Sequence, residues 1–306
     1  MTTPGRARPV LELGGTHVTA ALADPDTATV LRRVRQPVRA RGTAEHVLGA
    51  LVRCAGELDA PAGQVWGVAV PGPFDHEKGI ARFAGVGKFD DLYGIDVRAV
   101  LLDAVWPRPG EAVFLNDAHA FLLGEWRAGA ARGQHRCVGI TLGTGVGSAF
   151  MVAGRVQHEG RGVPPQGRID LVEAGGKPLE ESVSRRAILA RYTGADASPD
   201  LDRDLDLSLD LDLDVSEVAD RARAGERRAR RVLDEAFTTL GAVLAPHLRD
   251  FEASVLVVGG AMAASWDLLR PALRAGLRDT PVTLRPAGLG EDAALVGAAA
   301  HAAAVP

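Results

Sequence analysis

Cys137-Val138-Gly139-Ile140-Thr141-Leu142-Gly143-Thr144-Gly145-Val146-Gly147-Ser148-Ala149-Phe150-Met151-Val152 is the stretch that decides the fold. The apolar run Cys137–Leu142 reads as a strand, and Gly143–Gly147 breaks it. A second strand, Ser148–Val152, follows at once. The same design stands near the N-terminus, where Val10–Leu13, the turn Gly14-Gly15-Thr16 and Val18–Leu22 read as strand, glycine turn and strand. Two such units about half a chain apart predict an internally duplicated, two-lobed α/β architecture.

Working outward, Asp24-Pro25-Asp26 is a turn and Val30–Val38 a third strand. Ala44–Leu58 has Val47, Leu48, Leu51 and Val52 at helical spacing, and Val65–Val70 is an apolar strand stopped by Pro71-Gly72-Pro73. A helix is predicted over Val97–Val105, a strand over Val113–Leu115, and a helix over Ala118–Arg127. Val215–Arg249 reads as helical, and its basic middle (Arg227, Arg228, Arg230, Arg231) as a solvated face. Ser254–Val258 is a buried-type strand ending in Gly259-Gly260, and Asp292–Ala304 an alanine-rich helix. The run Asp200–Asp214 alternates Asp with Leu, but its polar positions are almost all acidic and Asp is a poor strand former, so a surface insertion is expected. Calcium binding there lacks the loop glycine and closing glutamate of an EF-hand.

Composition narrows the function classes. Of 306 residues, 46% are apolar and 24% charged, the balance of a globular protein with a real core. The net charge of −4, with Arg scattered among Asp and Glu, gives no footprint for nucleic acid. Two distant cysteines, Cys54 and Cys137, argue against a disulfide framework and for a reducing compartment. No signal peptide or membrane-spanning run is legible, so a cytoplasmic location is expected.

Chemistry concentrates at the strand ends. In Glu12-Leu13-Gly14-Gly15-Thr16 a carboxylate precedes two glycines and a hydroxyl. Glycine lets backbone N–H groups approach an anion, although Gly-Gly also makes an ordinary hairpin turn. Gly143-Thr144-Gly145 is equally suited to phosphate. Asn116-Asp117 ends a strand and opens a helix. Two readings stand there: a helix N-cap, or a general base accepting the proton of an attacking hydroxyl with Asn116 holding a neighbouring hydroxyl. Gly259-Gly260 is a strand-to-helix turn or a platform under an adenine.

Together these signals resemble the ROK family of sugar kinases (repressors, open reading frames and kinases) over nearly the whole chain. Glu12–Thr16 resembles its first phosphate motif, Gly67–Pro73 its Gly-x-x-x-Pro-Gly-Pro strand end, and Asn116-Asp117-Ala118 its Asn-Asp-Ala. Leu142–Gly147 is similar to its second phosphate motif and Gly259-Gly260 to its adenosine motif. The resemblance implies an actin-like ATPase (ribonuclease H-like) fold with a central cleft. Its lobes would be 1–115, completed by helix 291–306, and 116–290. It implies ATP with Mg²⁺ as phosphoryl donor and Asp117 as base for a hexose or amino-hexose hydroxyl, O6 first. Gly14, Gly15, Thr16, Gly143, Thr144, Gly145, Gly259 and Gly260 would hold the nucleotide, and Glu12 the metal. A homodimer is the family's habit. Only eleven residues precede Glu12, which disfavours the repressor branch with its DNA-binding helices.

Departures from the family pattern sharpen these expectations. The usual first-motif Asp is Glu12, and the cluster of cysteines that holds zinc is absent. In place of Gly-Glu-x-Gly-His, which touches the sugar, stands Gln166-Gly167-Arg168-Ile169-Asp170, so Arg168 or Asp170 is expected to face the sugar. Glu180, in Pro178-Leu179-Glu180-Glu181-Ser182, is a sugar ligand by resemblance, and Lys88 stands where a sugar-binding Asn often does. Gly175-Gly176-Lys177 with Glu180-Glu181 is similar to polyphosphate glucokinases, which keeps polyphosphate as an alternative donor. An acidic residue in place of the sugar-site His suits a cationic, kanosamine-like amino sugar by charge pairing. A non-catalytic sugar sensor is the competing class, and an acyl or carbamoyl transferase on the same fold a third. Asp117 argues against the sensor, and the match to Asn-Asp-Ala and the glycine turns against the transferase.

Overall fold

The structure, a computed structural model, describes residues 7–194 and 213–305. Among them the chain first forms β1 (Arg8–Leu13), β2 (His17–Asp24), β3 (Thr29–Pro37), α1 (Ala44–Leu58), β4 (Val65–Val70), the short pair β5 (Phe74–Asp75) and β6 (Ile80–Ala81), α2 (Val97–Ala104), β7 (Glu111–Asn116) and α3 (Asp117–Ala128). It continues with β8 (Arg136–Leu142), β9 (Val146–Val152), β10 (Arg155–Gln157), the short pair β11 (Glu173–Ala174) and β12 (Lys177–Pro178), α4 (Glu180–Val183) and α5 (Arg185–Thr193). The last elements are α6 (Val215–Arg223), α7 (Arg227–Asp250), β13 (Val255–Gly259), α8 (Trp266–Leu277), β14 (Thr283–Pro286) and α9 (Ala293–Ala303). The acidic run 200–212 lies outside the described residues, and Asp214 caps α6 by accepting from Val215 N.

The chain divides into two units, Met1–Gly133 with Ala287–Pro306, and Gln134–Pro286. Their five-stranded sheets share one topology. The first runs β3-β2-β1-β4-β7 and the second β10-β9-β8-β13-β14. In both, the first three strands form an antiparallel meander and the last two run parallel to the meander's first. The duplication expected from the two glycine turns is therefore present strand for strand.

The boundary expected at 115/116 falls inside the first unit, and that at 290/291 is displaced to 286/287. The reason is a close helix crossing. A Cβ on Gly297 of α9 would stand 1.8 Å from Ala120 O of α3, and one on Gly124 of α3 would stand 2.0 Å from Ala293 O. Glycine at both positions lets the two backbones touch, which binds α3 to the C-terminal helix. The second unit uses the same device, with Gly241 of α7 against Leu273 O and Gly276 of α8 against Thr238 O.

Alternation along the strands builds a core on each face of the first sheet. Leu11, Leu13, Val18, Trp66, Val68 and Val70 pack with Val47, Leu51, Cys54 and Leu58 of α1. Val10, Ala21, Ala69 and Leu115 pack with Leu295, Ala298 and Ala299 of α9. Thr43 starts α1 by accepting from His46 N, and Asp59 ends it in the left-handed region. In the second unit the helical stretch predicted over 215–249 is two helices, broken at Gly225, whose φ is +94°. Both cysteines are free and buried, and burial pushes their thiols up, to about 11 for Cys54 and about 12 for Cys137. No described helix is long and apolar enough to cross a membrane.

Within the first unit one buried carboxylate joins the segment after α3 to the segment before α9. Glu125, at 0% exposure near the end of α3, accepts from Ala130 N (2.6 Å) on the outgoing segment. It also accepts from Gly288 N (2.9 Å) and Leu289 N (2.8 Å) on the returning one. Three charge-assisted bonds compensate the burial of the charge.

Candidate active site

In the first unit β1, β4 and β7 are parallel neighbours, with Glu12 beside Ala69, Ala69 beside Leu115, and Val70 beside Asn116. Their carboxyl ends therefore lie side by side, the edge at which open α/β sheets bind ligands. Glu12, the turn Gly14-Gly15-Thr16, Asn116 and Asp117 share that edge. Gly14 N donates to His17 O (2.9 Å) and closes the turn, leaving Gly15 and Thr16 exposed.

Asn116 is the N-cap of α3, its Oδ1 accepting from Ala118 N (3.0 Å) and His119 N (3.3 Å). The capping reading of Asn-Asp thus holds for Asn116, and it takes the amide oxygen but not Nδ2. Asp117 is the first residue of α3, with Oδ1 accepting from Ala118 N (2.9 Å) and Oδ2 outside that bond. An anionic side chain in the first turn suits the helix dipole.

Glu12 is pushed up to about 7. Burial is the main cause and the charge of Asp117 the next, while Arg35 and Arg33 pull the other way. The two carboxylates are close enough to repel, so a cation would be drawn to them. Among the described residues no three His, Cys, Asp or Glu side chains form a group that could hold a metal ion alone. A cation that brings further oxygen ligands with it fits this pair better than a bare one. Lys88 lies in the loop after β6, in a turn closed by Asp90, whose carboxylate accepts from Val86 N (3.1 Å) and Gly87 N (3.0 Å). No described residue hydrogen-bonds to Lys88 or pairs with it.

In the second unit the turn between β8 and β9 is closed by Gly143 N donating to Gly145 O (3.1 Å), and Thr144 is exposed at its tip. Parallel β13 brings Gly259 beside Thr141. Gly260 follows with φ +83°, and a Cβ there would stand 2.3 Å from Leu142 O. The second glycine turn and Gly259-Gly260 thus share one sheet edge, as the two-motif reading requires.

Arg168 and Asp170 pair with each other. Arg168 Nη2 donates to Asp170 Oδ2 at 2.5 Å and Nε to Oδ1 at 3.3 Å, with Asp170 buried and Arg168 exposed. Ser148 of β9 fixes their segment, donating to Gly167 O (2.5 Å) and accepting from Ile169 N (3.0 Å). Either residue alone was expected to face the sugar; the exposed member is Arg168, and Asp170 holds it from behind. The guanidinium compensates the charge of Asp170. Glu180, the first residue of α4, accepts from Val146 N (3.3 Å) at the end of the glycine turn. Gly175 and Gly176, with φ of +62° and +84°, form the turn of the β11–β12 hairpin, a local reason for both glycines.

Sequence reasoning missed Ser148 and the contact of Glu180 with the turn. Ser148 sits inside an apolar strand with nothing to mark its partners, and Glu180 lies 34 residues from Val146.

The chain is 27% identical over 312 residues to a glucokinase of Thermotoga maritima, covering 94% of this chain and 95% of that one. A solved ROK family glucokinase from Streptomyces griseus, in complex with glucose and AMPPNP, is 25% identical with a TM-score of 0.75, covering 96% of this chain and 98% of that one. The inorganic polyphosphate/ATP-glucomannokinase of Arthrobacter sp. strain KM is 27% identical with a TM-score of 0.68, covering 97% and 98%. The ROK family profile matches residues 10–305, so the chain belongs to the ROK family.

Proposed function

We propose that the protein is a sugar kinase that transfers the terminal phosphoryl group of ATP to a hydroxyl of a neutral hexose, O6 first. The observation that carries this reading is the convergence of Glu12, the first glycine turn and Asn116-Asp117 on one sheet edge, in a chain similar throughout to glucokinases.

Asp117 Oδ2 takes the proton of the attacking hydroxyl as the new O–P bond forms, and the nucleoside diphosphate leaves with the old bond's electrons. Asn116 Nδ2 donates to a neighbouring sugar hydroxyl. Backbone N–H groups of Gly15 and Thr16 in the first unit are offered to phosphate, those of Thr144 and Gly145 in the second likewise, and Gly259-Gly260 supports the adenine. Glu12, with Asp117 beside it, would hold Mg²⁺ arriving with the nucleotide. That ion, when bound, neutralises the charge of the phosphates. Arg168, held by Asp170, donates to sugar hydroxyls, with Glu180 and Lys88 as further sugar contacts. A cytoplasmic homodimer is the assembly proposed.

A neutral hexose is preferred over an amino sugar because Arg168 and Asp170 compensate each other. Polyphosphate stays as a second donor because one relative uses both. The test is ADP release with Mg-ATP across hexoses and amino-hexoses, with tripolyphosphate as the alternative donor. Turnover of a hexose that vanishes in Asp117→Asn supports the reading. Absence of turnover with every sugar and both donors overturns it.

A further inference from the structure

The second glycine turn already holds an anion, and it is the protein's own. Glu180 Oε1 accepts from Val146 N at 3.3 Å. The same oxygen stands 2.4 Å from where a Cβ on Gly145 would be, so any side chain at 145 would collide with it. Glycine at 145 leaves room for Glu180 to lie against the turn. α5 is bonded to this turn as well, Arg185 N donating to Gly143 O (3.1 Å). The carboxylate thus reaches the turn from a fixed base.

A phosphate chain on Gly143–Gly145 would bring like charge up against this carboxylate. Two anions at van der Waals range in a partly desolvated site repel strongly, so one must move or be neutralised. The structure supplies the alternative partner. Arg168 is exposed, tethered by Asp170, and within electrostatic reach of Glu180. Its guanidinium is held in the charged form first by the hydrogen bond to Asp170, with the charge of Glu180 acting in the same direction. Rotation of the Glu180 side chain from Val146 N toward Arg168 would clear the turn.

We propose that Glu180 is an internal competitor of the donor's phosphates, capping the second glycine turn until its carboxylate is drawn away toward Arg168 and the sugar. This rests on the kinase reading above and adds a coupling between the two substrates to it. A sugar that hydrogen-bonds Glu180 then promotes donor binding through this chain's own residues, and the donor-free, sugar-free protein keeps its turn occupied.

The test is the affinity of the Mg complex of a non-hydrolysable ATP analogue, measured by calorimetry without any sugar, for wild type, Glu180→Gln and Glu180→Ala. Melting temperatures check that each variant folds. Competition predicts tighter sugar-free binding in both variants, about tenfold, the ordinary size of coupling between sites. An unchanged affinity would make Glu180 a sugar ligand and nothing more, and a weaker one would make it a support of the turn; either overturns the proposal. If wild type binds tripolyphosphate and not the ATP analogue, the same comparison with tripolyphosphate decides it. If wild type binds neither, the kinase reading itself has failed and the proposal falls with it.

Discussion

Replacing Glu12 by Gln should make the ligand-free protein more stable while removing its activity. Glu12 is pushed up from an ordinary value of 4.5 to about 7, chiefly by burial and then by Asp117. The folded state therefore holds this proton more tightly than the unfolded chain does. Below about 4.5 both states are protonated and Glu12 costs nothing. As pH rises from 4.5 to about 7 the unfolded chain ionises first, and stability declines. Above about 7 the full cost persists. At about 1.4 kcal/mol per pH unit it amounts to about 3 kcal/mol. Gln carries no charge, so Glu12→Gln should gain roughly that amount at pH 8 and less than about 1 kcal/mol at pH 5. In a unit of this size the gain at pH 8 corresponds to about 5–10 °C in melting temperature. Differential scanning calorimetry of wild type and variant at the two pH values gives the answer. A gain of equal size at both, or a loss at pH 8, would refute the reasoning, because either means that burial of the charge is not what sets the stability at this position.

Three further outcomes follow from particular contacts. Glu125→Ala leaves Ala130 N, Gly288 N and Leu289 N without their buried acceptor, and should cost about 3 kcal/mol or more in urea unfolding. Gly297→Val drives a side chain into Ala120 O and should cost about 2–4 kcal/mol, or prevent folding of the first unit, as read by the yield and melting temperature of the purified protein. Arg168→Ala should raise KM for the hexose by about tenfold or more with a smaller change in kcat if, as proposed, it donates to the bound sugar; steady-state kinetics would show an equal fall in kcat if Arg168 acted in the chemical step instead.

Much of the fold was legible because its signals are local. The two strand–glycine–strand stretches span only 13 and 16 residues, and their echo predicts the shared topology of the two sheets. Helix α1 falls where the spacing of Val47, Leu48, Leu51 and Val52 puts it. Helix α8 has no counterpart in the sequence reading. Pro271 lies inside it and cannot donate to the helix, yet Leu268, Leu269, Leu273 and Leu277 are buried and the helix persists. The boundary between the units was misplaced because its cause, Gly124 against Gly297, joins residues at opposite ends of the chain. The site divides the same way. The glycine turns and Asn116-Asp117 announce themselves in sequence. Glu125 does not, because two of its partners come 163 and 164 residues later. Nor does the role of Asp170, since its charge is legible while its neutralisation by the Arg168 side chain depends on a turn fixed by Ser148.

The most direct test of the account is ADP release with Mg-ATP and a panel of hexoses, comparing wild type with Asp117→Asn at matched folding. The account predicts turnover of a neutral hexose by wild type and a fall of about 10²–10⁴-fold in the variant, the size of a lost general base. Equal turnover by the two proteins would contradict it, and so would a wild type that turns over no sugar with either donor.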